Sequence, residues 1–259
     1  MAVYLGNQLI GNGLYLGNEN YRDSNVFVPV SNPVTAGRVL ELNSTAASYG
    51  GSGTTWSDIS GNGYNFTLIN SPTFSASTGF SFNGSSQYAN LAASSGLQNQ
   101  FTTSVRGGIT IFVDCYKNGT GSEGALFCGW NDNGGVYKWL FEINSNQTIE
   151  SAVKSTPSGV TGANTTGTIT TASRIILAFS VASDGTKTVY QNDVALAGTQ
   201  SVPNENWASD NPPFTIAARL NSSSSPFQYL AGRVKAVVAY NTALTAGQRT
   251  SVYNYLLGL

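Results

Sequence analysis

The sequence predicts an all-β fold: a two-sheet β-sandwich with a short C-terminal helix and an N-terminal β-hairpin arm. Three observations carry that expectation. The 259 residues include 29 glycines and a heavy load of serine, threonine and asparagine, the composition of many short strands joined by tight turns. Apolar residues make up 41% and aromatics 11%, enough to fill the interior of one large sandwich. Short runs of alternating apolar and polar residues recur between turn signals, the period of half-buried strands.

Residues 1–36 stand apart as an arm. Tyr4-Leu5-Gly6-Asn7 recurs as Tyr15-Leu16-Gly17-Asn18, and a strand, a Gly-Asn turn and a second strand make a small hairpin. Two strands bury too little to be stable alone, so Tyr4, Leu5, Tyr15 and Leu16 are docking candidates that pack on another copy or a larger surface. An edge hairpin of the main domain is the alternative, and Pro29 and Pro33 suit a linker under either reading.

The main domain, 37–259, is a succession of strands. VLEL, NFTLI, GFSFNG and QYANL come first, with turns at Gly61-Asn62-Gly63 and Asn83-Gly84. ITIFVDCY, GALFCGW, VYKWLFEI and TIESAV follow. Residues 174–194 come next, with turn signals at Asp184-Gly185 and Asn192-Asp193, before FTIAARL and YLAGRVKAVVAYN. Thr245 and Gln248 have capping-box spacing, predicting a helix with Val252, Tyr255 and Leu256 on one face and Gly258 as its stop.

The order of residues in 49–88 is more specific than any composition. Trp56, Asp58, Ser60, Gly61, Asn62 and Gly63 make a Trp-x-Asp-x-Ser-Gly-Asn-Gly turn. A Thr-Leu-x-Asn-x-Pro-Thr strand follows at 67–73, then a Phe-x-Phe-Asn-Gly hairpin at 80–84 leading to Tyr88. This stretch resembles the opening of the concanavalin A-like lectin/glucanase (laminin-G-like) jelly-roll modules common in phage virion proteins and bacterial surface proteins. Tyr240, Asn241, Ala243, Leu244 and Thr245 resemble the closing strand and helix start of the same modules, so the likeness spans about 38–259. It implies a concanavalin A-like jelly roll. The arm's repeat is similar to those at the N-termini of some phage structural proteins.

Charge and residue usage narrow the chemistry. Charged residues are 10% of the chain and the net charge is -1, so there is no electrostatic footprint for nucleic acid or an acidic membrane. No run approaches the roughly 18 apolar residues of a membrane span, and MAVYLGNQLIGNG lacks the basic-then-apolar order of a secretion signal. Cys115 and Cys128 fit a cross-strand disulfide or, more simply, two buried thiols. There is no histidine, which removes Ser-His-Asp and Cys-His machinery and the commonest zinc ligand.

Retaining glycoside hydrolysis needs two carboxyl groups about 5–5.5 Å apart. Hydrolases of the resembling fold carry a Glu-x-Asp-x-Glu strand, whereas KWLFEINSN offers Glu142 alone, with Leu140 and Asn144 at the partner positions. The pair Glu19 and Asp23 lies beside Arg22 in the polar arm and reads as solvated. The expectation is therefore a nonenzymatic protein. No cofactor is expected, calcium being the one weighed: the family often has Asp where this chain has Asn43, Asn83 and Gln87. Asp58 with Asn62, and Asp132 with Asn131 and Asn133, are the remaining metal candidates, and turn-making is their alternative role.

Carbohydrate binding requires only an exposed aromatic face and amides for the hydroxyls. Trp130, Asn131, Asp132, Asn133, Tyr137 and Trp139 concentrate these groups around one turn, and Trp207 in VPNENWASDNPP, a loop too polar for the core, is a second aromatic candidate. Trp130 and Trp139 equally fit the sandwich core, as do Trp56 and Phe66. The resemblance implies a phage virion surface protein, a capsid decoration or head fibre ahead of a tail-associated one. Its arm would bind other virion proteins, and its lectin-like domain would adhere weakly to host or environmental glycans. A symmetric homo-oligomer such as a trimer follows from the arm's inability to fold alone. A bacterial surface carbohydrate-binding module is the alternative, with a glycoside hydrolase behind it.

Overall fold

The computed structural model describes Tyr4–Leu5, Gln8–Leu9 and residues 31–259 apart from 103. The chain forms two compact units, Met1–Ser31 and Asn32–Leu259. In the first, Tyr4–Leu5 pairs antiparallel with Gln8–Leu9, Tyr4 opposite Leu9 and Leu5 opposite Gln8. Tyr15 and Leu16 lie outside the described residues.

The second unit is a jelly-roll β-sandwich. One sheet runs Gly159–Thr168, Thr148–Thr156, Val136–Ile143, Phe127–Asn131, Phe214–Ile216, Tyr88–Leu91, Phe66–Ile69, Thr55–Trp56. The other runs Val194–Ala195, Thr186–Gln191, Arg174–Val181, Ile109–Lys117, Ala231–Tyr240, Gly79–Asn83, Thr73–Ser75, with Arg38–Leu42 also paired to Ala231–Tyr240. Neighbours along both orders are antiparallel, some joined by hairpins and others brought together from distant parts of the chain.

Alternation decides what fills the interior. Ile109, Ile111, Val113 and Cys115 point into the core shared by the two sheets, against residues such as Phe127, Trp139 and Phe141. Phe141 and Phe179 meet edge to face across it at 5.1 Å. Trp56 and Phe66 are fully buried there. Each such side chain contributes roughly 1.5–3 kcal/mol. Lys187, buried between the layers, donates to the Ser151 carbonyl, and burial lowers its pKa to about 8.

The opposite residues of the second sheet, Phe112, Ala236, Val238 and Tyr240, form a smaller core under the helix Ala246–Gly258, which supplies Val252, Tyr255 and Leu256. Thr245 caps it with the capping box complete, and the helix includes Gly258 before its cap at Leu259. Beside this layer the buried Glu41 accepts from Tyr255 Oη at 2.5 Å and Arg38 Nη1 at 2.6 Å. Asn32 donates to Tyr240 Oη at 2.9 Å, so the segment at 32–34 is fastened to the sheet by the same polar cluster. Cys115 and Cys128 are unbonded and buried in separate clusters, and desolvation pushes the Cys128 thiol up to about 12.

Candidate functional site

The site is built on the outer face of the first sheet, where one extra residue changes the pattern. Gly129 stands opposite Trp139 and Trp130 opposite Tyr137, leaving Lys138 unmatched in a β-bulge. Trp139 therefore faces the interior, with ring centroids 4.8 Å from Phe101, 5.3 Å from Phe127 and 4.9 Å from Phe214. Tyr137 turns the other way and stacks on Trp130 at 4.1 Å and 26°. Lys138 donates to the Ala208 carbonyl at 2.5 Å, and its burial lowers its pKa to about 8.

Cations continue that stack on both sides. Arg219 lies over Trp130 at 5.7 Å and over Phe227 at 5.0 Å, and Lys154 over Tyr137 at 5.1 Å. Arg219 is paired with Asp132 and Glu142, each at 3.4 Å, and Lys154 with Asp210 at 2.5 Å. The Trp130 indole N–H donates to Asp132 at 2.8 Å. The result is a ladder of rings and cations from Phe227 to Lys154.

At the Phe227 end the ladder meets an open depression of about 520 Å³. Glu123, Phe227, Gln228 and Tyr229 line it, with Gly84 on its wall. A side chain at Gly84, whose φ is +74°, would put its Cβ 2.6 Å from that of Ala231. Gln228 has a left-handed φ of 49°, donates Nε2 to Glu123, and holds its Oε1 buried without a hydrogen-bond partner. Such strain persists only where the surroundings over-determine it. Tyr88 stands edge-on to Tyr229 at 6.2 Å.

The structure separates the sequence-derived site residues. Trp139 is wholly buried and Trp207 is 5% exposed, its ring against Phe101 and Trp139, so neither presents a face to a surface ligand. The neighbours of Trp207 are polar, as the sequence shows, but the short strand Asn206–Trp207 turns only the indole inward. Trp130 is itself 8% exposed, covered by Tyr137. Asn131 and Asn133 both donate to the Ser224 hydroxyl and shape the loop. The Asp58 carboxylate accepts from the Glu41, Ser60 and Tyr64 amides and the Ser60 hydroxyl, while Asn62 donates to the Val39 carbonyl. With Asp132 held by Trp130 and Arg219, these groups fit turn-making and do not converge on a cation.

Glu142 is not isolated, as reading along its own strand suggests. The hairpin sets Glu150 directly opposite it, and Glu123 acts on it electrostatically. Glu142 is 1% exposed with one carboxyl oxygen unpartnered. Desolvation raises its pKa to about 7 against the pull of Arg219, with Glu150 and Glu123 adding to the rise. Sequence reasoning missed Glu123, Glu150, Arg219 and the Phe227-Gln228-Tyr229 run; the alternation of ring, amide and ring in that run was the available signal.

No protein-family model matches the chain, and no curated protein does. Solved structures do. The sialidase of Trypanosoma rangeli in complex with sialic acid matches at 18% identity and a TM-score of 0.59, covering 86% of this chain and 33% of the sialidase. The same enzyme bound to 2,3-difluorosialic acid as a covalent intermediate matches at 18% and 0.60, with the same coverage. A structure titled for the dependence of botulinum neurotoxin type C cell entry on two ganglioside molecules matches at 12% and 0.60, covering 85% of this chain and 51% of that one. This chain thus spans about a third of the sialidase and half of the toxin chain, and the likeness is one of fold. It corrects the expectation of a nonenzymatic protein. The fold is shared with a third of a sialidase recorded as a covalent intermediate with 2,3-difluorosialic acid, so lacking a Glu-x-Asp-x-Glu strand is not evidence against catalysis.

Proposed function

We propose that the Asn32–Leu259 unit is a carbohydrate-binding β-sandwich. The depression beside the ladder carries this reading: the Phe227 and Tyr229 rings can take the apolar face of a sugar, while Gln228 and Glu123 meet its hydroxyls. Fold neighbours that include a sialidase in complex with sialic acid and a neurotoxin whose cell entry depends on two ganglioside molecules support it. Tyr229→Ala is expected to weaken glycan binding at least tenfold on a glycan array and in calorimetry while leaving the melting temperature near that of the parent. Undiminished binding by that variant would remove the depression from the reading.

For the arm we propose docking to other virion proteins, with the sandwich displayed on a phage particle. The repeated Tyr-Leu-Gly-Asn motif is the support. Removing residues 1–31 is expected to leave a folded sandwich that no longer loads onto particles, scored by co-sedimentation with purified virions. Normal loading of the truncated chain sinks the docking role.

A further inference from the structure

We infer that the depression selects amino sugars, carrying a free ammonium group, over acidic sugars. The inference rests on the carbohydrate reading above and names its ligand class. Of the described residues lining the depression, Glu123 alone is charged. Behind it, Glu142 faces Glu150 across two strands, but with its pKa raised to about 7 Glu142 is neutral at mildly acidic pH, which leaves Glu123 as the carboxylate that faces a ligand.

The nearby cation does not reverse this balance. Arg219 stacks on Phe227, but its guanidinium lies between the carboxylates of Asp132 and Glu142. A ligand carboxylate would have to displace one of them while approaching Glu123.

Hydrogen-bonding capacity agrees with the charge. An ammonium offers three donors and no acceptor, whereas a carboxylate only accepts. The depression presents an acceptor, the Glu123 carboxylate, which the Gln228 amide nitrogen holds in place. The Phe227 and Tyr229 rings add faces that attract a cation.

The test uses the full chain and three probes: a glucosamine tetramer, its fully N-acetylated counterpart, and sialyllactose. Affinities are measured by titration calorimetry at mildly acidic pH, where the amines are charged. The glucosamine tetramer is expected to bind about fivefold tighter than the acetylated one, the scale of one partly exposed ion pair, and sialyllactose weakest. Glu123→Gln should bring the two tetramers to equal affinity by weakening the glucosamine tetramer more than the acetylated one. Equal binding of both tetramers by the parent chain, a preference that survives Glu123→Gln, or tightest binding of sialyllactose overturns the inference. Of these, any that Tyr229→Ala abolishes leaves the carbohydrate reading standing. Failure of the parent chain to bind any of the three probes or any glycan on the array overturns both.

Discussion

Trp139→Ala is expected to lower the unfolding free energy by about 3–5 kcal/mol, the cost of deleting a large ring from a close-packed core. The indole is fully buried among Phe101, Phe127, Phe214 and Trp207. These rings have no slack to close the void. A Cβ added at Gly129 would come within 2.4 Å of the Phe214 ring, so the strand is already as near as its backbone allows. Trp139→Phe should recover part of the loss, because the Trp139 indole N–H has no hydrogen-bond partner to forfeit. Urea unfolding followed by fluorescence measures both variants. A loss below about 1 kcal/mol for the alanine variant would show that the ring does not organise the core.

The second large effect is a pH dependence centred on Glu142. Its folded pKa, about 7, lies above the ordinary 4.5, so between those values the native state holds a proton that the unfolded chain has released. Stability from this group is full below about pH 4.5 and is lost as pH rises through 7. Each tenfold difference in proton affinity between the folded and unfolded chains is worth about 1.4 kcal/mol. Glutamine mimics the protonated form. Glu142→Gln should match the parent near pH 4 and exceed it by about 3 kcal/mol above pH 7. Parallel denaturant titrations at the two pH values decide it. A variant less stable than the parent at high pH would mean that the Arg219 pairing outweighs desolvation at this carboxyl.

How much of this was legible in the sequence depended on the range of the signal. The C-terminal helix was readable because a capping box is four residues long and its buried face repeats locally. The strand succession was readable for the same reason, and Trp56 and Phe66 fell in the core as alternation implies. The aromatic candidates were not separable. Trp130, Trp139 and Trp207 look alike in a linear string, and only the bulge and the packing of Phe101 decide which indoles are covered. Glu150 sits eight positions from Glu142, a spacing with no meaning until the hairpin fixes a register in which both lie opposite one another. Arg219 joins Trp130 to Phe227 from a strand far along the chain, beyond any local pattern.

The unmatched Lys138 leaves a single strand carrying two alternations that are out of step. Everything after it keeps the beat of the interior, and everything before it keeps the beat of the solvent side. Deleting one amino acid there would set Tyr137 directly before Trp139, on opposite faces as in any regular strand, so Tyr137 would still point outward beside Trp130. The extra residue therefore serves the neighbouring loop more than the rings: it takes Lys138 out of the strand pairing and lets its ammonium hold the Ala208 carbonyl.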